Sequence, residues 1–301
     1  MRKRLQKGQQ NSSPIYLYNR CQPSNNALHS KNIFTIATWK SSMRLSHYSL
    51  LLPLLSSAFL AAVPPTANAA PEEIQVYMDE INNPHEFGLD LHNNYVISGN
   101  GTPDYSGAQP PRHVFRLTPE FSYGLTKNWE LGAYILTSRD AHGGSNVDGE
   151  KLRMKYLVDK DATSPFFYGA NLEVGRVNQH IDQNPWNAEL KGIFGYRKDR
   201  WTLAANANID WKISGPAPSP TSLEIDSKIA YKTDQGFDIG VESYNEIGAV
   251  RHLGQLNQQS QTIYAVIDTS IKGWDLNLGI GRGLTTVSDR WLLKAIVSVP
   301  F

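Results

Sequence analysis

From Glu86 onward, apolar and polar side chains alternate along the chain with a period of two, the spacing that places successive side chains on opposite faces of a β-strand. In 86–96, "EFGLDLHNNYV", Phe87, Leu89, Leu91 and Tyr95 oppose Glu86, Asp90, His92 and Asn94. In "HVFRLTPEFSY", Phe115, Leu117, Phe121 and Tyr123 oppose Arg116, Thr118, Glu120 and Ser122. "WELGAYIL", "EKLRMKYLV", "FFYGANLEVG", "ELKGIFGYR", "WTLAANANIDWKI", "LEIDSKIAY", "FDIGVES", "QTIYAVIDT", "WDLNLGIGRG" and the closing "WLLKAIVSVPF" repeat the pattern, which predicts about twelve strands. The tenth, "QTIYAVIDT", stands apart because both of its faces are partly apolar.

The connections alternate too. Longer polar links such as "GNGTPDYSGAQPPR", "SRDAHGGSNVDG" and "RVNQHIDQNP" follow odd strands, while short ones such as "GLTKN", "KDR" and "IKG" follow even strands. Aromatic residues mark strand ends: Tyr95, Tyr123, Trp129, Tyr156, Phe166, Tyr196, Trp201, Tyr231, Phe237, Trp274 and Trp291. A soluble β-sandwich or lipocalin-like barrel also alternates, but it holds its apolar face inside. Link asymmetry and aromatic girdles point instead to an all-β, transmembrane, antiparallel up-and-down β-barrel, with the short turns facing the periplasm. The final strand carries Leu293, Ala295, Val297, Val299 and Phe301 on one face, and this ending resembles the C-terminal insertion signal of bacterial outer-membrane barrels. Phe301, Val299 and Val297 are its expected carriers.

Charge changes the picture at the N-terminus. The chain has 301 residues and a net charge of +1, but residues 1–69 hold eight bases and no acid, so the part from Ala70 onward carries −7. That balance excludes a nucleic-acid binder. Met43 and Arg44 precede the apolar run "LSHYSLLLPLLSSAFLAAV" and the small-residue site "ANA" at 67–69, which reads as a signal peptide over 43–69. A membrane anchor fits less well, because the run is short and contains Pro53. Residues 1–42 then form an upstream extension, with translation starting at Met43. An organellar transit peptide is the second reading, and it leaves the signal peptide unexplained. The barrel is expected over 70–301, in the bacterial outer membrane. The one cysteine, Cys21, lies before it, so the barrel has no disulfide and no thiolate zinc site.

The phrases "RLTPEFSYGLTKNWELGAYI" (116–135), "KLRMKYLV" (151–158), "GANLEVGRV" (169–177) and "DLNLGIGRGLTTVSDRWLLKAIVSVPF" (275–301) together resemble the exported barrel family linked to the meta-cleavage pathway of phenol degradation, described as outer-membrane transporter-like proteins. The resemblance spans most of 70–301 and implies a barrel engaged in uptake of small organic molecules. It carries no catalytic residue.

The polar face predicts the chemistry of the lumen. Glu120, Glu130, Lys151, Arg153, Lys155, Glu173, Asp210 and Glu242 are the candidate lumen-lining residues, with the first five forming an acid–base cluster across the second, third and fourth strands. Isolated charges are costly to bury, so the interior must be wet or paired. One reading is a narrow channel, passive for small solutes, whose charged rows set selectivity; the other is a lumen closed by salt bridges, with a structural or surface-binding role. Gly132, Gly240, Gly279, Gly281 and Gly283 suggest free space along one wall and a conducting path there. Catalysis fares worse. His85, Glu86 and His92 do not have the helical metal-site spacing, and a lipid-modifying enzyme would have to draw on loop residues such as Ser138, Ser145, His113, His142, His180 and His252. Asp104, Asp140, Asp148 and Asp182 are acidic loop residues in no calcium-site spacing. No cofactor and no metal are expected. The expected partners are outer-membrane lipid and lipopolysaccharide, the barrel-assembly machinery and a small-molecule solute.

Overall fold

The computed structural model describes residues 73–159, 163–217 and 219–300. The expected upstream extension, the signal peptide, Cys21 and Phe301 lie outside them. Twelve strands form the wall: β1 (Phe87–Ser98), β2 (Phe115–Gly124), β3 (Trp129–Arg139), β4 (Ser145–Leu157), β5 (Phe166–Val177), β6 (Trp186–Lys198), β7 (Trp201–Ser214), β8 (Ser222–Lys232), β9 (Asp238–Ala249), β11 (Ser260–Ile271), β12 (Trp274–Gly283) and β13 (Trp291–Ser298). A two-residue strand, β10 (His252–Leu253), pairs with β9 alone. Each wall strand pairs antiparallel with the next, and β13 returns to β1 in register from Asp90↔Ser298 to Ser98↔Trp291, which closes the barrel. Closure leaves no unpaired edge, as a bilayer requires of strands.

The wall is apolar outside and polar inside. On β4, Leu152 and Met154 are exposed on the outer surface while Lys151, Arg153 and Lys155 are buried. β6 exposes Leu190 and Phe194, and β7 exposes Trp201, Leu203 and Ile209. The outer surface therefore suits lipid, and the chain is an outer-membrane β-barrel. At the end with the shorter turns, four cross-strand aromatic pairs form a girdle: Phe87–Tyr123, Trp129–Tyr156, Phe166–Tyr196 and Trp201–Tyr231, with ring centroids 4.7, 4.6, 5.2 and 4.9 Å apart. Each joins the first residue of an odd-numbered strand to an aromatic near the end of the following strand, so the rings mark one interface.

The hairpin tip between β3 and β4 is tighter than its sequence suggests. Pairing continues through Thr137↔Val147, Ser138↔Asn146 and Arg139↔Ser145 after a bulge at Leu136, so most of "SRDAHGGSNVDG" is strand. Asp140 closes the tip by accepting from the amides of His142 and Gly144, at 2.8 and 2.9 Å.

Candidate functional site

The lumen is not empty. The chain before β1 lies inside it, running from Ile74 in the interior out to Pro84 at the short-turn end, and touches opposite walls. Near the rim, Asp79 and Glu80 pair with Arg197 at 2.9 and 3.0 Å. Asn82 donates from its backbone to Glu130 (2.7 Å) and from its side chain to Ser122 (2.7 Å). Midway, the backbone N–H and carbonyl of Tyr77 both bond the side-chain amide of Asn206, at 2.7 and 3.0 Å, much as a neighbouring strand would. The Tyr77 hydroxyl meets that of Tyr134 at 2.6 Å, and Lys191 lies 4.3 Å from the centre of its ring. Deeper still, the Ile74 carbonyl accepts from Lys294 (3.1 Å).

This segment explains the apolar residues that intrude on the polar face. Val76 and Tyr77 pack with Phe167, Ile193, Leu157 and Ala204, while Ile74 packs against Val96, Tyr264, Val266 and Leu292. β11 is apolar on both faces for this reason: Ile263 and Ile267 face outward, and Tyr264 and Val266 face the segment.

Two ion networks flank the segment. In the first, Arg153 reaches across Gly132 of β3 to donate through Nε to Glu120 (2.5 Å) and through Nη2 to Glu130 (2.8 Å). Gly132 makes this possible, since a Cβ there would sit 2.6 Å from Arg153 Cγ and Nε. Lys155 adds a contact to Glu130 at 3.1 Å, and His92 Nε2 lies 2.9 Å from Glu120. In the second network, Glu242 pairs with Lys294 and with Lys228 (3.1 Å), and Lys228 pairs with Asp268 (2.8 Å). The sequence-derived residues thus separate. Glu120, Glu130, Arg153 and Lys155 meet in one cluster, Glu242 belongs to the other, and Lys151 lies 4.0 Å from Glu173 instead. Asp210 is half-buried in β7, in register with Glu189. Val297 is half-buried in β13, and Val299 follows that strand's end, donating its N–H to the Leu89 carbonyl at 2.9 Å.

The glycine wall is not an open path. A Cβ on Gly132 would strike Arg153, one on Gly281 the Tyr264 ring at 2.4 Å, and one on Gly279 would lie 3.0–3.2 Å from Val266 and Lys294. These glycines make room for large neighbours. Glu86, Arg197 and Asp275, on the polar parity of their strands, sit near the short-turn rim and face solvent there. The segment itself was missed by strand-counting, although the alternation of Ile74, Val76 and Met78, and the inward Phe167 and Ile193, were its signals.

At the long-link end of β3 and β4, Asp148 accepts from Ser138 (3.1 Å) and lies 2.7 Å from His180 Nε2. The carboxylate stands between serine and histidine, so the histidine cannot act as the serine's base, as a nucleophilic triad requires. The group instead ties loops: the Gln109 N–H donates to the His180 carbonyl (2.8 Å) and the Tyr105 hydroxyl to that of Gln179 (2.7 Å). Burial, then Asp182 and Asp104, push the Tyr105 phenol up to about 12. Asp182 pairs with Lys212 at 2.6 Å. The amides of Gly144 and then His142 hold the Asp140 carboxyl below its usual range.

No family model matches the sequence, and no curated protein matches it, so the phenol-pathway resemblance rests on the residues quoted for it. Solved structures share the architecture. The COG4313 outer membrane channel from Pseudomonas putida F1 superposes with a TM-score of 0.52 at 11% identity, over 76% of this chain and all of that one. The KdgM porin in complex with disordered oligogalacturonate gives 0.49 at 10% identity, over 71% of this chain and 99% of that one. The NanC porin gives 0.47 at 11% identity, over 71% and 98%. At 11% identity the likeness to the COG4313 channel is one of fold: this chain is built as that outer-membrane barrel is.

Proposed function

We propose that this barrel is a passive outer-membrane channel for small solutes, whose open state requires the Glu73–Pro84 segment to shift against the lumen wall. The observation that carries the reading is how the segment is held. Near the rim Asn82, Asp79 and Glu80 are fixed by hydrogen bonds and ion pairs to wall side chains that water can replace one at a time, and deeper in, Tyr77 is held through its backbone by the one side chain of Asn206. The walls are lined by charges of both signs, as selectivity in a hydrophilic pore requires. The fold shared with a protein described as an outer membrane channel supports the reading, and the family resemblance suggests small organic compounds as solutes.

The filled lumen also favours a second reading, a closed barrel that acts through its outer loops. Cysteines placed at Asn82 on the segment and Ser122 on the wall, whose side chains meet at 2.7 Å, separate the two. The channel reading expects single-channel openings in planar bilayers for wild type, their suppression when the cysteines are oxidised, and their return on reduction. Openings unaffected by the lock would move the path away from the segment. A folded wild-type barrel silent under all conditions would favour the closed barrel.

A further inference from the structure

Beyond the two ion networks, the wall from β5 to β9 carries carboxylates in excess. Glu173, Glu189 and Asp210 are direct cross-strand neighbours on β5, β6 and β7, and Glu224 stands opposite Glu246 on β8 and β9. Like charges in such register repel one another. Between this wall and the lodged segment lies a small cavity bordered by Glu73, Gln75, Glu189, Asn208, Glu224 and Asp226, with Lys191 the single base among its described lining residues. Its volume, about 20 Å³ for the centre of a water-sized group, admits one such group.

Four of these residues turn acceptor oxygens into buried positions where no donor meets them: Glu73 Oε1, Gln75 Oε1, Asn208 Oδ1 and Asp226 Oδ1. Asn208 and Asp226 are 1% and 2% exposed. The Asn208 amide N–H is already spent on Asp226 Oδ2 at 2.8 Å, leaving its carbonyl oxygen as its unpartnered atom. A buried acceptor left without a donor destabilises the fold. The matching ligand carries several N–H donors, a positive charge and the size of a water molecule.

We propose that this cavity binds a primary ammonium group, either the ammonium ion or the amine head of a small solute. Anions are excluded by the carboxylates, and the described residues hold no group of three or more His, Cys, Asp or Glu placed to take a metal ion. As a selectivity site for passing solutes the proposal rests on the channel reading, but binding is measurable without conduction.

The test is calorimetric titration of methylammonium chloride into the purified, detergent-solubilised barrel at constant ionic strength, beside tetramethylammonium chloride, which has the charge and no N–H. Saturable methylammonium binding is expected, at least tenfold weaker for tetramethylammonium, at least tenfold weaker in Asp226→Asn, and tighter in Asn208→Asp. Glu73→Gln, altered on the segment and not the wall, gives the same readout if Asp226→Asn does not fold. Absent binding, equal binding of the two cations, or an unchanged affinity in the folded carboxylate variant overturns the proposal. Competition by butylammonium assigns the site to amine-bearing solutes, and its failure to the free ion. Conductance without methylammonium binding refutes this site and leaves the channel reading standing; binding in a barrel that never conducts does the reverse.

Discussion

Arg153 is the residue whose removal should cost the barrel most. Its guanidinium is the common partner of Glu120 and Glu130, and all three side chains are 3% exposed, so Arg153→Met leaves two carboxylates with reduced compensation inside the wall. Removing one partner of a buried ion pair typically costs about 3–5 kcal/mol, most of it the burden of the charge left behind. Lys155→Met should cost less, about 1.5–3 kcal/mol, the range for a hydrogen bond to a charged group. Glu130 would keep Arg153 at 2.8 Å and the Asn82 amide at 2.7 Å. If the penalty is uncompensated charge, neutralising Glu120 should relieve it, and Arg153→Met with Glu120→Gln should recover at least half of the single-variant loss. Urea unfolding in phospholipid vesicles, followed by tryptophan fluorescence, measures all four proteins. An Arg153→Met barrel within about 1 kcal/mol of wild type, or a double variant less stable than the single one, would refute the reasoning, since a coupled pair must show non-additivity.

Gly132→Ala should destabilise by about 1–3 kcal/mol in the same assay, the range for overpacking, because its Cβ would meet Arg153 at 2.6 Å while two carboxylates hold that side chain in place. Asn206→Ala removes the partner of both Tyr77 backbone groups, at about 1–3 kcal/mol for each buried group left unsatisfied; the expected result is more frequent channel opening and faster proteolysis of the 73–84 segment. For Asp140, whose carboxyl is held below its ordinary value of 3.8, the turn's stabilisation is complete above 3.8 and is lost as the pH falls through the lower folded value. Amide exchange at His142 and Gly144 should therefore stay slow from neutral pH to about 5 and become relatively less protected only in stronger acid, a dependence that Asp140→Asn abolishes.

The strand faces were legible because alternation is local information. Leu152 and Arg153 differ by one position and face lipid and lumen, and the pairing of Glu130 with Lys155 follows once β3 and β4 form a hairpin. Bonds that skip a strand were harder to read. Arg153 meets Glu120 over the bare backbone of Gly132, so a glycine that looked like open space marks a place where a longer side chain crosses. The lodged segment was legible only indirectly, as Phe167, Ile193, Tyr264 and Val266 in positions where polar residues were due. The row of carboxylates was not legible for a related reason: parity places Glu173, Glu189 and Asp210 inside, but their alignment into one row depends on the register of three strands.

The lodged segment also constrains the order of assembly. It runs directly into β1, and β1 forms the closing seam with β13, where Asn93 and Ala295, 202 positions apart, face one another. Contacts between such distant parts of a chain are the slow ones to form. Before the seam joins, the first strand and its leader can still lie on either side of the curling sheet; afterwards the ring of paired backbones bars the exchange. Closure with the leader outside would leave Phe167, Ile193, Tyr264 and Val266 facing a hydrated interior, whereas closure with it inside buries them together. The same apolar residues that spoil the polar face therefore bias the last step of folding toward the correctly threaded barrel, and a mis-threaded one would have to reopen its seam to recover.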